Sequence, residues 1–213
     1  IMSPLGLSAR DLEQREDPTP LVLLGEHIGE STLPHVTVDN TAAARAATEH
    51  LISQGCRRIV ALGAQASGPN ETAVFRLAGY REALEAAGIE VDERLILHVE
   101  NFHRADGDAA ARRLLSAGMP ADGIFAFNDL LALGALHALT AGGVRIPEDV
   151  AVVGFDDIEE ARYSTPTLTS IAPDTAAIAR IAIDLLFSDP PASGIHTVGF
   201  TLAARASTKG PRS

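Results

Sequence analysis

The stretch GIFAFNDLLALGALHALTAGGVRIPEDVAVVGFDD, residues 123–157, decides the fold. It opens with an unbroken apolar run over residues 123–127, and its Leu- and Ala-rich middle ends at Gly142 and Gly143. A second apolar run follows at 150–155. Continuous apolar runs are typical of strands that helices cover on both faces of a parallel sheet. The stretch therefore predicts a strand, a helix and a second, parallel strand.

Alternating strands and helices extend upstream of this stretch. The sequence predicts strands at 59–62 and 95–99, and helices at 75–87 and 106–116. With the stretch above, four strands and three crossover helices make a doubly wound parallel sheet, so the fold class is α/β. Asn128 and Asp156 each follow the last residue of a predicted strand. They are therefore expected at the carboxyl edge of the sheet, where open α/β sheets bind ligands.

The remaining segments predict further elements. Strands are expected at 21–25, 35–38 and 197–202, with a helix that Asp39 and Asn40 cap and Gly55 ends. Residues 161–171 lack a helical period and contain a proline, so they are expected to form an extended crossover. Pro173 and Asp174 open an amphipathic helix. From Ser207 onward the chain is expected to be a frayed tail.

Composition narrows the classes of function. The chain has 213 residues, 46% of them hydrophobic, which is enough for one large domain or two lobes. Its net charge of −11 argues against a nucleic-acid surface on this chain, because phosphate binding needs clustered Lys and Arg. No apolar run approaches the roughly 20 residues of a membrane span, and the N-terminus lacks a signal-peptide layout. We expect a cytoplasmic protein, and the single cysteine, Cys56, cannot form an internal disulfide.

Several longer motifs occur along the chain. They are VDN from Val38, EHLISQGCRRIVALG from Glu49, RLAGYREALEAAGI from Arg76, FNDLLALGALHAL from Phe127, and IPEDVAVVGFDDIEEARYSTPTLTSI from Ile146. Together they resemble the effector-binding core of the LacI/GalR family of bacterial transcription regulators. The resemblance covers nearly the whole chain, and the motifs occur in the family's order.

The resemblance implies a type I periplasmic-binding-protein fold, with two α/β lobes and a ligand between them. It assigns residues 1–55 and 172–195 to an incomplete first lobe and residues 56–171 and 196–208 to the second lobe, with 209–213 as a tail. Family members carry a helix-turn-helix domain and the beginning of the first lobe before the segment that resembles Ile1. We therefore expect this chain to be part of a longer protein, and not to bind operator DNA by itself.

Asp156 is the predicted anchor of the ligand site. A strand-end carboxylate can accept hydrogen bonds from two neighbouring hydroxyls, and the family uses the first acid of the matching FDD motif on its ligand. The alternative is that Asp156 or Asp157 only caps the following turn. Asn128 offers a donor and an acceptor to a sugar hydroxyl, but it also suits the N-cap of the next helix, and the two roles are compatible.

Arg76 and Phe102 are further candidate ligand contacts. The matching arginine of the family contacts the effector, and a guanidinium can hold paired oxygens. The alternative is a solvated arginine in a first helical turn, where the helix dipole does not favour a cation. Phe102 follows the strand ending at Val99 and sits among polar residues, which favours an aromatic that stacks on a sugar ring or a flat base over a core residue.

By resemblance alone, Thr72, Asp39 and Phe155 also line the pocket. Leu133 and Tyr163 match positions of the family's dimer interface, so a homodimer is implied. A helix that is apolar on several faces, such as 130–141, could instead be buried completely within one chain.

Enzymatic motifs are absent from the sequence. It contains no GxxxxGK[ST], GxGxxG or GxSxG motif, and no PCxxC to complete a zinc site with His98, Glu100 and His103. The prediction is a sensor that binds a small effector, most simply a carbohydrate, with no metal, cofactor or chemistry. A periplasmic sugar-binding protein of a transporter is the alternative, and a small α/β enzyme acting through Asp156 and Arg76 is a weaker third.

Overall fold

The computed structural model describes residues 11, 12, 14, 16, 19–25, 32–65, 71–188 and 193–208. The chain divides into two compact units. The first comprises Ile1–Asp39, Ser67–Thr72 and Pro173–Phe200, and the second comprises Asn40–Ala66, Ala73–Ala172 and Thr201–Ser213. Ile1 and Met2 suggest the end of a strand, and Ser8 with Asp11 suggests a capping box that opens a short helix before Pro18. Both predictions fall largely outside the described residues.

The first unit is built on a three-stranded parallel sheet. Its strands, in the order β1-β2-β8, are β1 (Leu23–Leu24), β2 (His35–Val38) and β8 (Ile195–Val198). One helix, α6 (Thr175–Leu186), packs against this sheet around Val36, Ala182 and Val198. Asp174 caps α6 by accepting a hydrogen bond from the Ala177 amide at 2.9 Å, which is the predicted start of that helix.

The second unit is built on a six-stranded sheet in the order β4-β3-β5-β6-β7-β9. Its strands are β3 (Ile59–Ala64), β4 (Ile96–His98), β5 (Gly123–Ala126), β6 (Ala151–Phe155), β7 (Thr169–Pro173) and β9 (Phe200–Ala203). The pairs β3–β4, β3–β5, β5–β6 and β6–β7 are parallel. Every residue of β3, β5 and β6 is buried, as their continuous apolar runs predict. The α/β fold class is confirmed.

The helices of the second unit lie where apolar periodicity predicts most of them. They are α1 (Asn40–Ser53), α2 (Glu71–Ala86), α3 (Arg104–Ser116), α4 (Asp129–Ala141) and α5 (Glu159–Tyr163), with 3₁₀ turns at Glu93–Leu95 and Ala206–Thr208. Helix α4 packs closely on α3. A Cβ atom on Gly134 would lie 2.0 Å from the Arg104 carbonyl oxygen, so no larger residue fits this crossing. None of the described helices is long and apolar enough to cross a membrane.

Three segments differ from their predictions. The expected extended crossover at 161–171 holds the end of the short helix α5 and the start of strand β7. The single final strand expected at 197–202 is two strands, β8 and β9, which belong to different sheets and are separated at Gly199.

The expected tail from Ser207 is wrong for its first two residues. Ser207 and Thr208 are buried, and the Ser207 hydroxyl donates to the Val152 carbonyl at 2.6 Å and accepts from the Thr169 amide at 2.8 Å. Small hydroxylated residues look like a tail in sequence, but here they satisfy backbone groups of the sheet. Residues 209–213 lie outside the described part of the chain.

The observed units also divide the chain differently from the predicted lobes. Helix α1, which the predicted boundary at residue 55 puts in the first lobe, groups with the second unit, while β8 groups with the first. Amphipathic periodicity shows that α1 buries one face, but it does not show which sheet covers that face.

Candidate ligand site at the carboxyl edge of the six-stranded sheet

The candidate site lies where the strand order of the larger sheet reverses. The chain passes from β3 outward to β4, crosses back over β3 to β5, and continues to β6. Ligands of open α/β sheets bind outside the carboxyl ends of the strands at such a reversal. The described residues that follow β5 and β6 are Phe127, Asn128 and Asp156. Helix α2 brings Arg76 to the same edge, where its guanidinium contacts the Phe127 carbonyl.

Arg76 is buried, with 7% of the residue exposed, and four neighbouring groups contact or face its guanidinium. Its Nε donates to Asn40 Oδ1 at 2.9 Å, and its Nη1 donates to the Phe127 carbonyl. The guanidinium carbon stands 3.5 Å from the centre of the Phe155 ring, which is cation–π geometry. The fourth neighbour is Asp156, whose Oδ1 lies 4.0 Å from Nη2. Arg76 is therefore a fixed buried cation and not a solvated first-turn arginine.

Asp156 presents its carboxylate from a turn directly after β6. Its φ of 110° and the φ of 51° at Asp157 are both positive, which is uncommon for residues other than glycine. The Asp156 amide donates to the Ile171 carbonyl at 2.8 Å, while 42% of the side chain remains exposed. Desolvation by the surrounding protein raises the pKa of Asp156, and the nearby Arg76 guanidinium opposes that rise. The site thus pairs a fixed cation with an accessible carboxylate.

Asn128 performs the capping role that the sequence left open. Its Oδ1 accepts from the Leu131 amide at 2.9 Å, so it is the N-cap of α4. Its Nδ2 donates to the Phe102 carbonyl at 3.1 Å. Asn128 therefore ties the loop after β4, with the half-buried Phe102, to the end of β5. A ligand contact by Asn128 stays a prediction.

The other predicted ligand residues are placed less directly. Phe155 is fully buried, and its ring lies under Arg76, so it supports the guanidinium instead of forming an open wall. Thr72 is buried in the first turn of α2, and Asp39 is exposed just before α1. Both of these residues group with the first unit.

Four polar residues of this edge were not predicted to belong to the site, although the sequence suggested capping roles for Asn40 and Asp157. Asn40 accepts from Arg76, and Asp129 and Ser170 form a buried hydrogen bond of 2.7 Å between Asp129 Oδ1 and Ser170 Oγ. Asp157 is ion-paired to Arg205 at 2.5 Å and to Arg162 at 3.1 Å, so the second acid of the FDD motif is structural. The sequence offers a signal for two of them, because Asp129 directly follows Asn128 and Asp157 directly follows Asp156.

A groove lies at the surface between α4 and α5. One cavity of about 460 Å³ is lined by Arg104, Leu133, Glu159, Glu160, Tyr163 and Ser164. A second, of about 410 Å³, is lined by Leu133, Leu136, His137, Thr140, Ala141, Ser164 and Thr165. The groove therefore contains both predicted interface residues, the half-buried Leu133 and Tyr163, which is 79% exposed. The rest of α4 is mostly buried within the unit, so burial accounts for most of its apolar surface, and an interface role for Leu133 stays a prediction.

The described residues offer no cluster of three or more His, Cys, Asp or Glu that could hold a metal ion. His103 instead faces Asp106 at 3.7 Å. Cys56 is buried and donates its thiol to the Asp122 carbonyl at 3.2 Å, which is the behaviour of a structural cysteine.

The chain is similar to known proteins. A family model described as the periplasmic binding protein-like domain matches residues 48–208. The HTH-type transcriptional regulator CelR of Thermobifida fusca is 42% identical over 175 residues, which cover 80% of this chain and 50% of that regulator. The chain thus spans half the length of this curated relative.

Solved structures agree with the family model. A candidate transcriptional regulator of the LacI family from Sanguibacter keddieii is 45% identical with a TM-score of 0.82, over 92% of this chain and 74% of that one. A CelR–cellobiose complex is 37% identical with a TM-score of 0.75, over 87% of this chain and 58% of that one. The proteins that the chain resembles are transcription regulators.

Proposed function

Because this chain belongs to the LacI family of transcriptional regulators, whose core is periplasmic-binding-protein-like, we propose that it senses a small, neutral carbohydrate at the Arg76–Asp156 edge. Binding would be non-covalent, without metal or cofactor. In the whole protein it would change the affinity for operator DNA. DNA contact is proposed for parts of the regulator outside this chain, whose own net charge is −11.

The observation that carries the proposal is the charge balance of Arg76 and Asp156. The buried cation and the accessible carboxylate neutralise each other locally, with 4.0 Å between Nη2 and Oδ1. An anionic ligand would have to compete with Asp156 for Arg76 while being repelled by the Asp156 charge. A neutral hydroxyl can accept from the guanidinium and donate to the carboxylate, and both hydrogen bonds are then charge-assisted.

The surroundings of this pair fit a sugar. Phe102 is half-buried in the loop that Asn128 anchors, which offers an aromatic face close to a polar edge. Sugar rings combine hydroxyls at their rims with apolar C–H faces, so a carboxylate and an aromatic together match their chemistry. The cellobiose bound by the related CelR supports a carbohydrate for this chain also.

Regulation requires a link between the ligand and an interface. We propose that the full-length protein is a homodimer that uses the groove between α4 and α5, with Leu133 and Tyr163 at its centre. A ligand that binds one arrangement of the dimer better than another shifts the population toward that arrangement. The relatives are regulators, which favours this role over transport.

Calorimetric titration of the full-length protein against a panel tests the ligand class. The panel contains cellobiose, other disaccharides, monosaccharides, nucleosides and amino acids. We expect heat from at least one sugar, and we expect Asp156→Ala to weaken that sugar by about tenfold or more, since hydrogen bonds to charged groups contribute about 1.5–3 kcal/mol. Asp156→Asn, which keeps one acceptor, should fall between Ala and wild type.

The control is Asp149→Asn, which removes a partly exposed carboxylate that pairs with Arg145 and precedes strand β6, whereas Asp156 follows that strand. It should bind the sugar as wild type does. Heat from a nucleoside or an amino acid with none from any sugar would overturn the ligand class. Undiminished sugar binding by Asp156→Ala would remove Asp156 from the site.

A further inference from the structure

Asp129 is a buried carboxyl group that the ligand site does not use directly. It is the first residue of α4 and is fully buried. Its Oδ1 accepts from Ser170 Oγ at 2.7 Å, and its Oδ2 accepts from the Ile158 amide at 2.9 Å. Among the described residues, no Arg, Lys or His side chain forms a salt bridge with Asp129. Burying a carboxyl group without a cation beside it costs free energy. The position of Asp129 therefore calls for a structural role that its two hydrogen bonds can explain.

Those bonds complete the support of the turn that carries Asp156. Three consecutive amides of the turn are held by different groups: Asp156 donates to the Ile171 carbonyl at 2.8 Å, Asp157 donates to Ser170 Oγ at 3.1 Å, and Ile158 donates to Asp129. Residues other than glycine with positive φ are strained and persist only where the surroundings hold them. Asp129 and Ser170 together hold two of the three amides.

The neighbouring strand makes room for this arrangement. A Cβ atom on Gly154 would stand 2.1 Å from Asp129 Oδ1, so any larger residue at this position near the end of β6 would displace the carboxyl group. The turn, the glycine and the buried acid thus form one unit of structure.

We propose that Asp129 is a positioning residue, which fixes the Asp156 carboxylate for the ligand and ties the Asp156 turn to the groove. Ile158 is the N-cap residue of α5, which carries Tyr163, and Asp129 itself begins α4, which carries Leu133. Any movement of the Asp156 turn is therefore passed to both helices of the groove through one side chain. This inference rests on the proposed function for the role of Asp156, but the physical tether can be tested without a ligand.

The chemistry of the tether permits either a carboxylate or a neutral group at position 129. When Asp129 is neutral, its Oδ1 can donate to Ser170 Oγ, and the Ser170 hydroxyl can donate to the Ile171 carbonyl 3.2 Å away. Oδ2 still accepts from Ile158. An asparagine can make the same pattern with Nδ2 as the donor, so Asp129→Asn should preserve the tether while Asp129→Ala removes it.

Hydrogen–deuterium exchange of the full-length protein tests the inference. In Asp129→Ala, peptides covering residues 156–163 should exchange about tenfold faster or more, because the loss of a buried hydrogen bond makes local opening easier. Asp129→Asn should stay within about threefold of wild type, and Asp149→Asn should not differ. Selective rescue by asparagine separates a hydrogen-bonded tether from general loss of packing.

Unchanged exchange at 156–163 in folded Asp129→Ala would overturn the inference. So would equal acceleration in Asp129→Asn, because the amide preserves the bonds. If Asp129→Ala does not fold, Ser170→Ala decides, since it removes the acceptor of the Asp157 amide and the partner of Asp129. It should speed exchange in the same peptides, and no change there would equally overturn the tether.

Cellobiose titrations of the same variants separate this inference from the proposed function. If wild type binds cellobiose, Asp129→Ala should bind it about tenfold more weakly or worse, and Asp129→Asn should recover most of that loss. If wild type binds no sugar while exchange at 156–163 follows the expected order, the ligand class fails and the tether stands. If wild type binds cellobiose but exchange at 156–163 does not follow the expected order, the ligand class stands and the tether fails.

Discussion

At the scale of the residue, Arg76 shows how the site keeps a cation in place before any ligand arrives. The Phe127 carbonyl, the Asn40 amide oxygen and the Phe155 ring each contact the guanidinium, and Asp156 supplies its counter-charge. A buried charge is tolerated when it is paired and hydrogen-bonded. Because these contacts come from α1, β6 and the residue after β5, the orientation of Arg76 depends on the fold as a whole and not on its own helix.

Asp129 should make the free energy of unfolding depend measurably on pH. Burial raises the pKa of this carboxyl group to about 7, and the charges of Asp156 and Asp157 add to the rise, against the hydrogen bonds from Ser170 and Ile158. Those two acids are in turn paired with Arg76 and with Arg162 and Arg205. Between pH 4 and 7 the folded protein therefore keeps a proton that the unfolded chain has lost.

The protonated Asp129 carboxyl group favours the folded state at low pH, and this contribution is absent at high pH. Stability from this group is fully present below the unfolded pKa of 3.8 and is lost as pH rises through about 7. We expect the free energy of unfolding to fall by about 2–4 kcal/mol from this group between pH 5 and pH 8. Urea unfolding across that range, in wild type and Asp129→Asn, measures it. The variant should show a flatter profile, and parallel profiles would contradict the assignment.

At the scale of the element, the cap of α4 also organises the site. Asn128 accepts from the Leu131 amide and donates to the Phe102 carbonyl, so one side chain starts the helix and anchors the neighbouring loop. Substitution can separate these two bonds. A serine at position 128 can cap the helix, but its shorter side chain cannot also donate to the Phe102 carbonyl.

We expect Asn128→Ala to lower the free energy of unfolding by about 2 kcal/mol, of which the cap and the buried loop bond contribute about 1 each. Asn128→Ser should recover about half of that loss by restoring the cap. Denaturant unfolding followed by circular dichroism gives both values. Asp174→Ala, which removes only the cap of α6, is the matched control at about 1 kcal/mol. Equal losses for Ala and Ser at position 128 would show that the Phe102 bond alone matters.

Much of the second unit is predictable because its strands are buried on both faces and its helices end at recognisable caps. Residues 123–157 form the expected strand, helix and strand, with bounds within one residue of the prediction. Elements near the two ends of the chain were harder to predict. Strand β8 is only four residues long and pairs with β2 in another sheet, a long-range pairing that local periodicity does not contain.

Some residues of the candidate site could also be predicted from the sequence, and others could not. Asp156 and Asn128 are visible in the sequence because they directly follow apolar strands, and family resemblance adds Arg76. Asn40 and Ser170 lie 36 and 41 residues away in sequence from the side chains they contact, Arg76 and Asp129. No local spacing encodes such contacts, so the support of the site emerges only from the packing of α1 and β7 against its edge.

At the scale of the whole molecule, the groove is the surface through which we propose that ligand sensing is linked to assembly. Tyr163 presents a large aromatic surface there, and the rim carries both signs of charge, with Arg104 paired to Glu160 at 2.8 Å and Glu159 beside them. A two-fold interface brings each patch onto its own copy, so a patch that contains both charges is self-complementary. Hot spots of interfaces are rich in tyrosine that becomes buried on association.

We expect Tyr163→Asp to convert a dimer of the full-length protein into monomers, because the substitution places an unpaired carboxylate in an apolar contact. Sedimentation velocity over a range of protein concentrations measures the change. Phe187→Ser is the matched control, since Phe187 is an equally prominent exposed aromatic, at 83%, but lies just after α6 in the first unit. That variant should remain dimeric and should bind the same sugar as wild type. Dissociation by Phe187→Ser but not by Tyr163→Asp would move the interface to the first unit, and the tether from Asp129 to the groove would then end at a surface that no second copy covers.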